Sequence, residues 1–142
     1  MTRSNRPLDG GVFIADTSAW WRSSLVEETW AEAMRSRQIA TCPIVMLELL
    51  YTAPDAMAFE GLEADLRQLR DIPVTRSVTQ AAITALRELA EAGSRRHRVD
   101  PTDAIIAACA QEAGVGVLHC DRRFDRLAEV MSFESRWLVA PG

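Results

Sequence analysis

The sequence predicts a three-layer α/β domain, with helices on both faces of a central, mainly parallel sheet. Short apolar runs of the kind that fill buried parallel strands alternate along the chain with longer helical patterns. Such alternation favours a parallel sheet that is covered on both faces. Two of the apolar runs end in an aspartate, Asp16 and Asp121. Because ligands bind at the carboxyl ends of parallel strands, these strand ends are candidate functional positions.

Length and composition agree with one globular domain. The chain has 142 residues, 48% apolar and 25% charged, which is enough to bury a core. We expect residues 1–142 to form a single domain and residues 1–10 to be a flexible lead. No apolar run reaches the roughly 20 residues that cross a bilayer, and the polar start holds no signal-peptide core. We therefore expect a cytoplasmic protein without a membrane partner, whose three scattered cysteines are reduced thiols.

The basic residues exclude several phosphate chemistries. All sixteen are arginine, the chain has no lysine, and the net charge is −4. A Walker-type phosphate loop and a lysine Schiff base both need a lysine. Receiver domains and haloacid-dehalogenase-type phosphatases, the main α/β alternatives with an acidic pocket, need one as well. Any phosphate must therefore be held by arginine, by backbone N–H groups or by a metal ion.

The first half of the chain divides into two strands and four helices. In order they are strand 12–15, a helix that opens at 19–21, helix 25–37, strand 39–42, helix 43–51 and helix 55–70. Pro43 is favoured as the first residue of its helix. The last helix is amphipathic, because apolar residues recur at spacings of three and four, at Phe59, Leu62, Leu66 and Leu69.

The second half continues the alternation. In order we expect strand 72–75, helix 77–92, helix 101–113, strand 115–120, a helix that begins at 122 and an edge strand at 137–139. Pro73 favours an edge position for its strand. Ser77 to Gln80 has the pattern of a capping box, and Gly93 and Gly114 are typical helix stops.

Glu48 is the most informative single residue. It lies in the middle of 44–51, a segment that is apolar nearly all round and therefore typical of a buried helix. An unpaired buried carboxylate is costly, so Glu48 needs a partner. That partner is either an arginine, in a structural ion pair, or a metal ion.

Three further carboxylates stand at strand ends or helix starts. Asp100 is the predicted N-cap of a helix whose first residue is proline, and Asp103 then takes the third position of a capping box. Asp16 and Asp121 equally suit the N-cap of the helix that follows each of them. A cap is an ordinary role for any one of these residues. Together with Glu48, however, they can face one edge of the sheet, and that favours a joint site.

Such a cluster has a specific chemistry. Neighbouring carboxylates repel one another and need a counter-charge, and their hard oxygens suit Mg²⁺ or Mn²⁺. Such ions support in-line hydrolysis of a phosphodiester by an activated water. Thr17 or Ser18 would orient that water or a phosphate oxygen. Basic side chains near the cluster are candidate contacts to a nucleic-acid backbone: Arg95, Arg96, Arg98, Arg122 and Arg123. The alternative is that they are only solvated surface.

Four motifs, in this order, carry a family resemblance. They are residues 14–18, 42–51, 103–108 and 118–124. With them the chain resembles PIN-domain ribonucleases, in particular the VapC toxins of bacterial toxin–antitoxin pairs. The resemblance implies a PIN-like α/β/α domain and metal-dependent cleavage of RNA, with Mg²⁺ or Mn²⁺ held by Asp16, Glu48, Asp103 and Asp121. It also implies a homodimer and a neutralising VapB-type antitoxin.

One position departs from the family pattern. Many relatives carry a further aspartate two residues after the one at Asp121, where this chain has Arg123. The number of metal ions, one or two, is therefore open. Asp125 lies beyond the phenylalanine and is not taken as a ligand, whereas Asp100 is a candidate to support the site from behind the ligands.

Large apolar residues beside the acidic cluster are candidate contacts for the antitoxin. They are Trp20, Trp21, Leu50 and Tyr51. An amphipathic helix with a basic residue would suit such a surface. The alternative is that the tryptophans belong to the core or to a dimer interface. For the whole chain, the alternatives to a ribonuclease are a non-catalytic RNA- or protein-binding module and a nuclease directed at DNA.

Overall fold

The computed structural model describes residues 7–141, which form a five-stranded sheet flanked by helices. The strands are β1 (Phe13–Ala15), β2 (Ile39–Thr41), β3 (Arg70–Asp71), β4 (Gly116–His119) and β5 (Ser135–Trp137). The helices are α1 (Thr17–Arg22), α2 (Glu27–Arg35), α3 (Pro43–Tyr51), α4 (Ala56–Leu66), α5 (Arg76–Ala92), α6 (Pro101–Ala113) and α7 (Arg122–Ala128). Short 3₁₀ segments are Pro7–Gly10 and Ser23–Val26.

The sheet is parallel throughout, and its strand order places β1 beside β4. The order is β3-β2-β1-β4-β5. The sequence order therefore reverses between β1 and β4, which is the switch point where α/β sheets form their ligand crevices. Gly116 allows the two strands to pack, because a Cβ there would lie 2.6 Å from the Phe13 ring. Asp16 and Asp121 follow these two strands at the same edge.

Side chains of the central strands alternate between two cores. Ile14 and Val117 belong to the larger core, which includes residues of α3 to α7. Phe13 and Leu118 belong to the smaller core, with residues of α1 and α2. This alternation follows from the two-residue period of a strand. The predicted three-layer α/β/α arrangement is confirmed.

Several predicted boundaries are wrong, at sheet edges, at helix starts and at the end of the helix predicted at 55–70, which ends at Leu66. Strand β3 lies at 70–71 rather than 72–75, and β5 at 135–137 rather than 137–139. Ile72 still donates its N–H to Thr41 at 2.8 Å, but Pro73, which follows, has no N–H to extend the ladder. Helix α5 is capped by Thr75, whose hydroxyl accepts from the Val78 N–H, and not by Ser77. The predicted helix 25–37 begins instead as a 3₁₀ segment.

Helix α3 is not buried on all sides. Leu49 and Leu50 are buried, but Leu47 is 65% exposed and Tyr51 is 91% exposed. The prediction of a helix buried all round is wrong, because one apolar stripe faces outward. Glu48 lies between the two faces and is partly buried.

The chain start and the longest helices bear on two other expectations. Of the predicted flexible lead, residues 1–6 lie outside the described residues. The Pro7–Gly10 segment is a 3₁₀ turn, and Leu8 packs against the smaller core. Between residues 7 and 141, no helix combines the length and the apolar character needed to cross a membrane.

Candidate active site

Asp16 ends β1 and starts α1, as its position after a buried strand predicts. Its carboxylate accepts from the Ser18 N–H at 3.1 Å and from the Ser18 hydroxyl at 2.6 Å. The same hydroxyl accepts from the Cys120 N–H at 2.9 Å. Ser18 therefore joins the end of β1 to the end of β4. Its hydroxyl is engaged within the protein and positions Asp16, and the suggested role in orienting water or phosphate stays a prediction.

Glu48 reaches the same edge from α3, one layer above the sheet. The Thr17 hydroxyl donates to its Oε2 at 3.5 Å, which is a long hydrogen bond. Its Oε1 is buried and has no hydrogen-bond partner in the described residues. No arginine of the described chain forms an ion pair with Glu48 within 4.0 Å, so the structural ion pair considered for it is absent there. The partner that Glu48 requires is therefore not supplied by these residues.

Asp103 and Asp100 lie in the first turn of α6. Asp100 is the N-cap and accepts from the Thr102 N–H at 2.9 Å and the Thr102 hydroxyl at 2.8 Å. Asp103 is only 7% exposed, and its Oδ2 accepts no hydrogen bond from residues 7–141. The predicted capping box, which would have engaged the Asp103 side chain, is not formed. Asp100 instead caps the helix by accepting from Thr102. The carboxylate of Asp103 is thus left to face the site.

Asp121 is held by the arginine two residues after it. Arg123 Nη2 lies 2.7 Å from Asp121 Oδ2, and Arg123 Nε lies 3.0 and 3.2 Å from Oδ2 and Oδ1. The same guanidinium lies 3.4 Å from Asp103 Oδ2 and 3.8 Å from Asp100 Oδ2. Arg123 is therefore the cation of the acidic site in this structure. As a candidate RNA contact it is already bound to three carboxylates.

Burial and mutual repulsion raise the pKa of three of the four central carboxyls. Burial, followed by the charges of neighbouring aspartates, raises the pKa of Asp16 and Glu48. Burial, followed by the charge of Asp16, raises the pKa of Asp103 to about 7 despite the nearby arginine. For Asp121 burial acts in the same direction, but the hydrogen bonds and charge of Arg123 outweigh it and lower the pKa. The unneutralised charge therefore lies on the side of Asp16, Glu48 and Asp103.

The chemistry of this donor set fits a divalent cation. All four side chains offer carboxylate oxygens, the ligands that Mg²⁺ and Mn²⁺ prefer. Two of these oxygens, Glu48 Oε1 and Asp103 Oδ2, are buried without a hydrogen bond from the part of the chain that the structure describes. As the side chains stand between residues 7 and 141, no three acidic, histidine or cysteine groups converge closely enough to hold an ion. Side-chain adjustment would therefore have to accompany binding of an ion.

A hydrogen-bonded chain behind Asp121 was not anticipated from the sequence. The Asp121 N–H donates to His119 Nδ1 at 3.1 Å, and His119 Nε2 lies 2.6 Å from the Ser135 hydroxyl. Ser135 donates to Asp125 at 2.7 Å, and Trp137 Nε1 donates to the other Asp125 oxygen at 2.9 Å. Burial lowers the pKa of His119 to about 4, so its ring is neutral and Nε2 carries the proton. This series of hydrogen bonds fixes the backbone from which the Asp121 side chain projects. The sequence shows only that His119 lies two residues before Asp121.

The arginines of the predicted basic loop differ in their surroundings. The loop is a hydrogen-bonded turn that leads from α5 to α6, and Arg95 and Arg98 are exposed on it. Arg96 instead forms an ion pair with Glu129. Arg122, on the first turn of α7, is exposed. Arg95, Arg98 and Arg122 are therefore the arginines of this predicted set whose side chains are open to a ligand.

The proposed antitoxin contacts also separate into two kinds. Trp21 is 61% exposed and Tyr51 is 91% exposed. Leu50 is buried, and Trp20 packs edge-on against Trp30 with ring centroids 4.9 Å apart. Leu50 is thus part of the core and Trp20 packs against it, and the role of both as antitoxin contacts stays a prediction.

Comparison with known proteins agrees with this geometry. The PIN domain family matches residues 8–130 of the chain. Ribonuclease VapC18 of Mycobacterium tuberculosis is 37% identical over 134 residues, which cover 92% of this chain and 98% of the relative. Ribonuclease VapC51 of the same organism is 33% identical over 132 residues, covering 92% and 95%.

Solved structures share the fold at lower sequence identity. VapBC2 from Rickettsia felis, bound to a DNA fragment from its promoter, has a TM-score of 0.71 at 14% identity and covers 90% of this chain and 99% of its own. DNA-bound VapBC from Salmonella typhimurium has a TM-score of 0.67 at 19% identity, covering 89% and 97%. Sequence and fold agree: the chain belongs to the PIN domain family, in its VapC group.

Proposed function

We propose that the chain is a metal-dependent endoribonuclease that acts as the toxin of a toxin–antitoxin pair. The observation that carries the proposal is the set of carboxylates at the switch point of the sheet, two of which bury an oxygen without a hydrogen bond. Membership of the VapC group supports the choice of RNA as substrate, since the similar proteins are named ribonucleases. The proposal treats the whole chain as a single catalytic domain.

The residues have distinct roles in this proposal. Asp16, Glu48 and Asp103 are the carboxylates that would hold Mg²⁺ or Mn²⁺, and Asp121 completes the acidic edge. When bound, the ion supplies positive charge to the phosphate and activates water for hydrolysis. Ser18 positions Asp16, and Thr17 positions Glu48 through its hydroxyl.

Substrate is held by arginine in the absence of any lysine. Arg95, Arg98 and Arg122 are exposed around the starts of α6 and α7, the two helices that carry Asp103 and Asp121. Guanidinium groups bind phosphate oxygens in a bidentate manner and so fix the position of the backbone. They would orient the scissile phosphate toward the carboxylates without reading the bases.

Cleavage of a single-stranded RNA by the purified chain tests the proposal. We expect products with 5′-phosphate and 3′-hydroxyl ends in Mg²⁺ or Mn²⁺, and none in EDTA, because water rather than the 2′-hydroxyl is the nucleophile. Asp16→Asn, prepared in the same way, excludes a contaminating nuclease. Cyclic-phosphate ends or full activity in EDTA would overturn the mechanism. Cleavage of DNA of the same sequence would indicate a DNA nuclease, and binding of RNA without cleavage a non-catalytic module.

A VapB-type antitoxin is the proposed partner. The solved structures with the same fold are toxin–antitoxin complexes, which supports a partner of this kind. The exposed side chains of Trp21 and Tyr51, on the contacting helices α1 and α3, would offer it an apolar surface. The homodimer implied by the resemblance and the cytoplasmic location expected from composition stay predictions.

A further inference from the structure

The guanidinium of Arg123 occupies one half of the acidic site. It makes two short contacts to Asp121 Oδ2, at 2.7 and 3.0 Å, and lies within 4.0 Å of Asp103 and Asp100. Bidentate contacts between guanidinium and carboxylate are among the stronger hydrogen-bonded pairs. The side chain is half exposed, so it reaches this position from the mouth of the site and not from the core.

The other half of the site has no such cation. Among the described residues, neither Asp16 nor Glu48 forms an ion pair within 4.0 Å, and Glu48 Oε1 has no hydrogen bond. Asp103 lies between the two halves, because its Oδ2 is 3.4 Å from Arg123 Nε yet forms no hydrogen bond. The charge of Arg123 thus lies within 4.0 Å of three carboxylates, those of Asp100, Asp103 and Asp121. Asp16 and Glu48 have no such cation among the described residues.

We propose that Arg123 is a tethered cation that replaces a second metal ion, so that the chain binds a single divalent ion on the side of Asp16, Glu48 and Asp103. The inference rests on the proposed metal-dependent function and specifies its metal stoichiometry. Both oxygens of Asp121 are engaged by Arg123, so an ion on that side has to displace the guanidinium. Because the guanidinium is part of the chain, it competes at a high local concentration that does not depend on the metal in solution.

The proposal assigns Asp121 a different role from that of a metal ligand. Asp121 becomes the anchor of Arg123, and the backbone behind it is fixed through His119. The positive charge at this half of the site is then independent of metal supply. A phosphate oxygen that approaches from the mouth would meet an arginine fork beside a single ion.

Titration calorimetry with Mn²⁺ at fixed pH tests the proposal on the full chain. We expect one ion per wild-type chain. Arg123→Gln should bind a second ion or bind Mn²⁺ about tenfold more tightly, and Arg123→Asp, which restores an acid, should bind two. Arg126→Gln is the matched control, because it removes the same charge one turn later on α7 from a residue that is exposed. It should keep one ion with unchanged affinity.

Thermal melting gives a second readout that does not depend on activity. In EDTA, Arg123→Gln should melt at a lower temperature than wild type, since Asp121 and Asp103 lose their counter-charge, and saturating Mn²⁺ should raise its melting temperature by more than that of wild type. Binding of two ions by the wild-type chain, or Mn²⁺ binding that is the same in wild type and both Arg123 variants, would overturn the inference. If the wild-type chain still cleaves RNA, the proposed function is upheld all the same. Absence of both metal binding and cleavage in wild type would overturn the two together.

Discussion

The Ser18 hydroxyl donates to Asp16 Oδ2 at 2.6 Å, and it accepts from the Cys120 N–H on the neighbouring strand end. One small side chain therefore sets the distance between the ends of β1 and β4. A hydrogen bond to a charged group contributes about 1.5–3 kcal/mol, more than one between neutral groups. The acidic residue that starts α1 is thus held in place across the switch point of the sheet.

Replacing Ser18 by Ala should weaken both activity and stability. Loss of the two hydrogen bonds leaves the Asp16 carboxylate free to rotate and the Cys120 N–H unpaired, so we expect RNA cleavage to fall by about tenfold or more. The melting temperature should fall by about 3–8 °C, in keeping with a loss of about 1–2 kcal/mol. Cleavage rates and melting curves measure the two effects.

Two further variants separate positioning from a general loss of a hydroxyl. Ser18→Thr keeps the hydroxyl and should retain most of the activity. Ser24→Ala changes an exposed serine of the neighbouring 3₁₀ segment and should behave as wild type. Full activity and an unchanged melting temperature in Ser18→Ala would mean that the bridge has no positioning role.

Ionisation of Asp103 should destabilise the metal-free chain as the pH rises. Burial, followed by the charge of Asp16, raises the pKa of Asp103 to about 7, above the ordinary value of 3.8. A carboxyl with a raised pKa binds its proton more tightly in the folded state, so stability is highest below pH 4 to 5 for this group and falls as the pH rises toward 7. The upper limit of the effect is on the order of 4 kcal/mol.

Melting curves in EDTA between pH 5 and pH 8 measure this dependence. Asp103→Asn cannot ionise, so it should melt above wild type at pH 8 and lose much of the decline with pH. Asp65→Asn, which changes an exposed carboxyl on α4, should decline as wild type does. Burial lowers the pKa of His119 to about 4, and this acts in the opposite direction up to about pH 6.5, so the test is the difference between variant and wild type. An equal pH dependence in Asp103→Asn and wild type would show that Asp103 is ionised with an adequate counter-charge.

The sequence predicted the members of the site better than their partners. Asp16, Asp103 and Asp121 follow strand ends or open helices, and periodicity places such positions at one edge of a parallel sheet. The bridge from Ser18 to Cys120 spans 102 residues, and the bond from His119 to Ser135 joins two strands. Contacts of this kind depend on strand register, which a local pattern does not contain.

Other errors have equally local causes. Thr75 and Ser77 are both hydroxyl residues before one apolar helix, and the pattern alone favoured the wrong one. The sequence shows that Arg123 stands where many relatives have an aspartate. Its contact with Asp121, however, depends on the geometry of the first turn of α7. The outward stripe of α3 was missed because an apolar residue on a surface looks like a core residue in sequence.

The exposed arginines of the turn before α6 should contribute to RNA binding. Arg95→Ala combined with Arg98→Ala should flatten the dependence of binding on salt, by about 1.4 in the logarithmic slope if each contacts one phosphate of a single strand. Arg96→Ala should have a smaller effect, since that side chain is paired with Glu129. Binding to a short RNA at several salt concentrations measures the slopes, in a background that does not cleave, such as Asp16→Asn.

Controls for this prediction separate local contacts from overall charge. Arg87→Ala removes an exposed arginine of α5 and should leave the slope unchanged. Metal affinity should be the same in all these variants, because none of these arginines contacts the acidic site within the described residues. An unaltered slope in the double variant would show that the turn is only solvated surface.

The outward side chains of α1 and α3 should control inhibition by the antitoxin. Trp21 and Tyr51 are largely exposed, and Leu47 lies one turn before Tyr51 on the same face of α3. Helix α1 packs against α3, the helix that carries Glu48, so we expect these side chains to offer an apolar surface near the acidic site. An amphipathic helix laid on this surface would bring a basic side chain to the carboxylates.

Trp21→Ala and Tyr51→Ala should each release the nuclease from the cognate antitoxin while their melting temperatures stay close to wild type, because neither side chain is part of the core. Leu50→Ala should instead melt at a clearly lower temperature, since it removes a buried side chain and leaves a cavity that costs about 2–5 kcal/mol. Ile83→Ala, at a partly exposed apolar residue on α5, is the matched control and should remain inhibited. Titration of RNA cleavage with the antitoxin measures all four. Full inhibition of both Trp21→Ala and Tyr51→Ala would place the antitoxin on another surface.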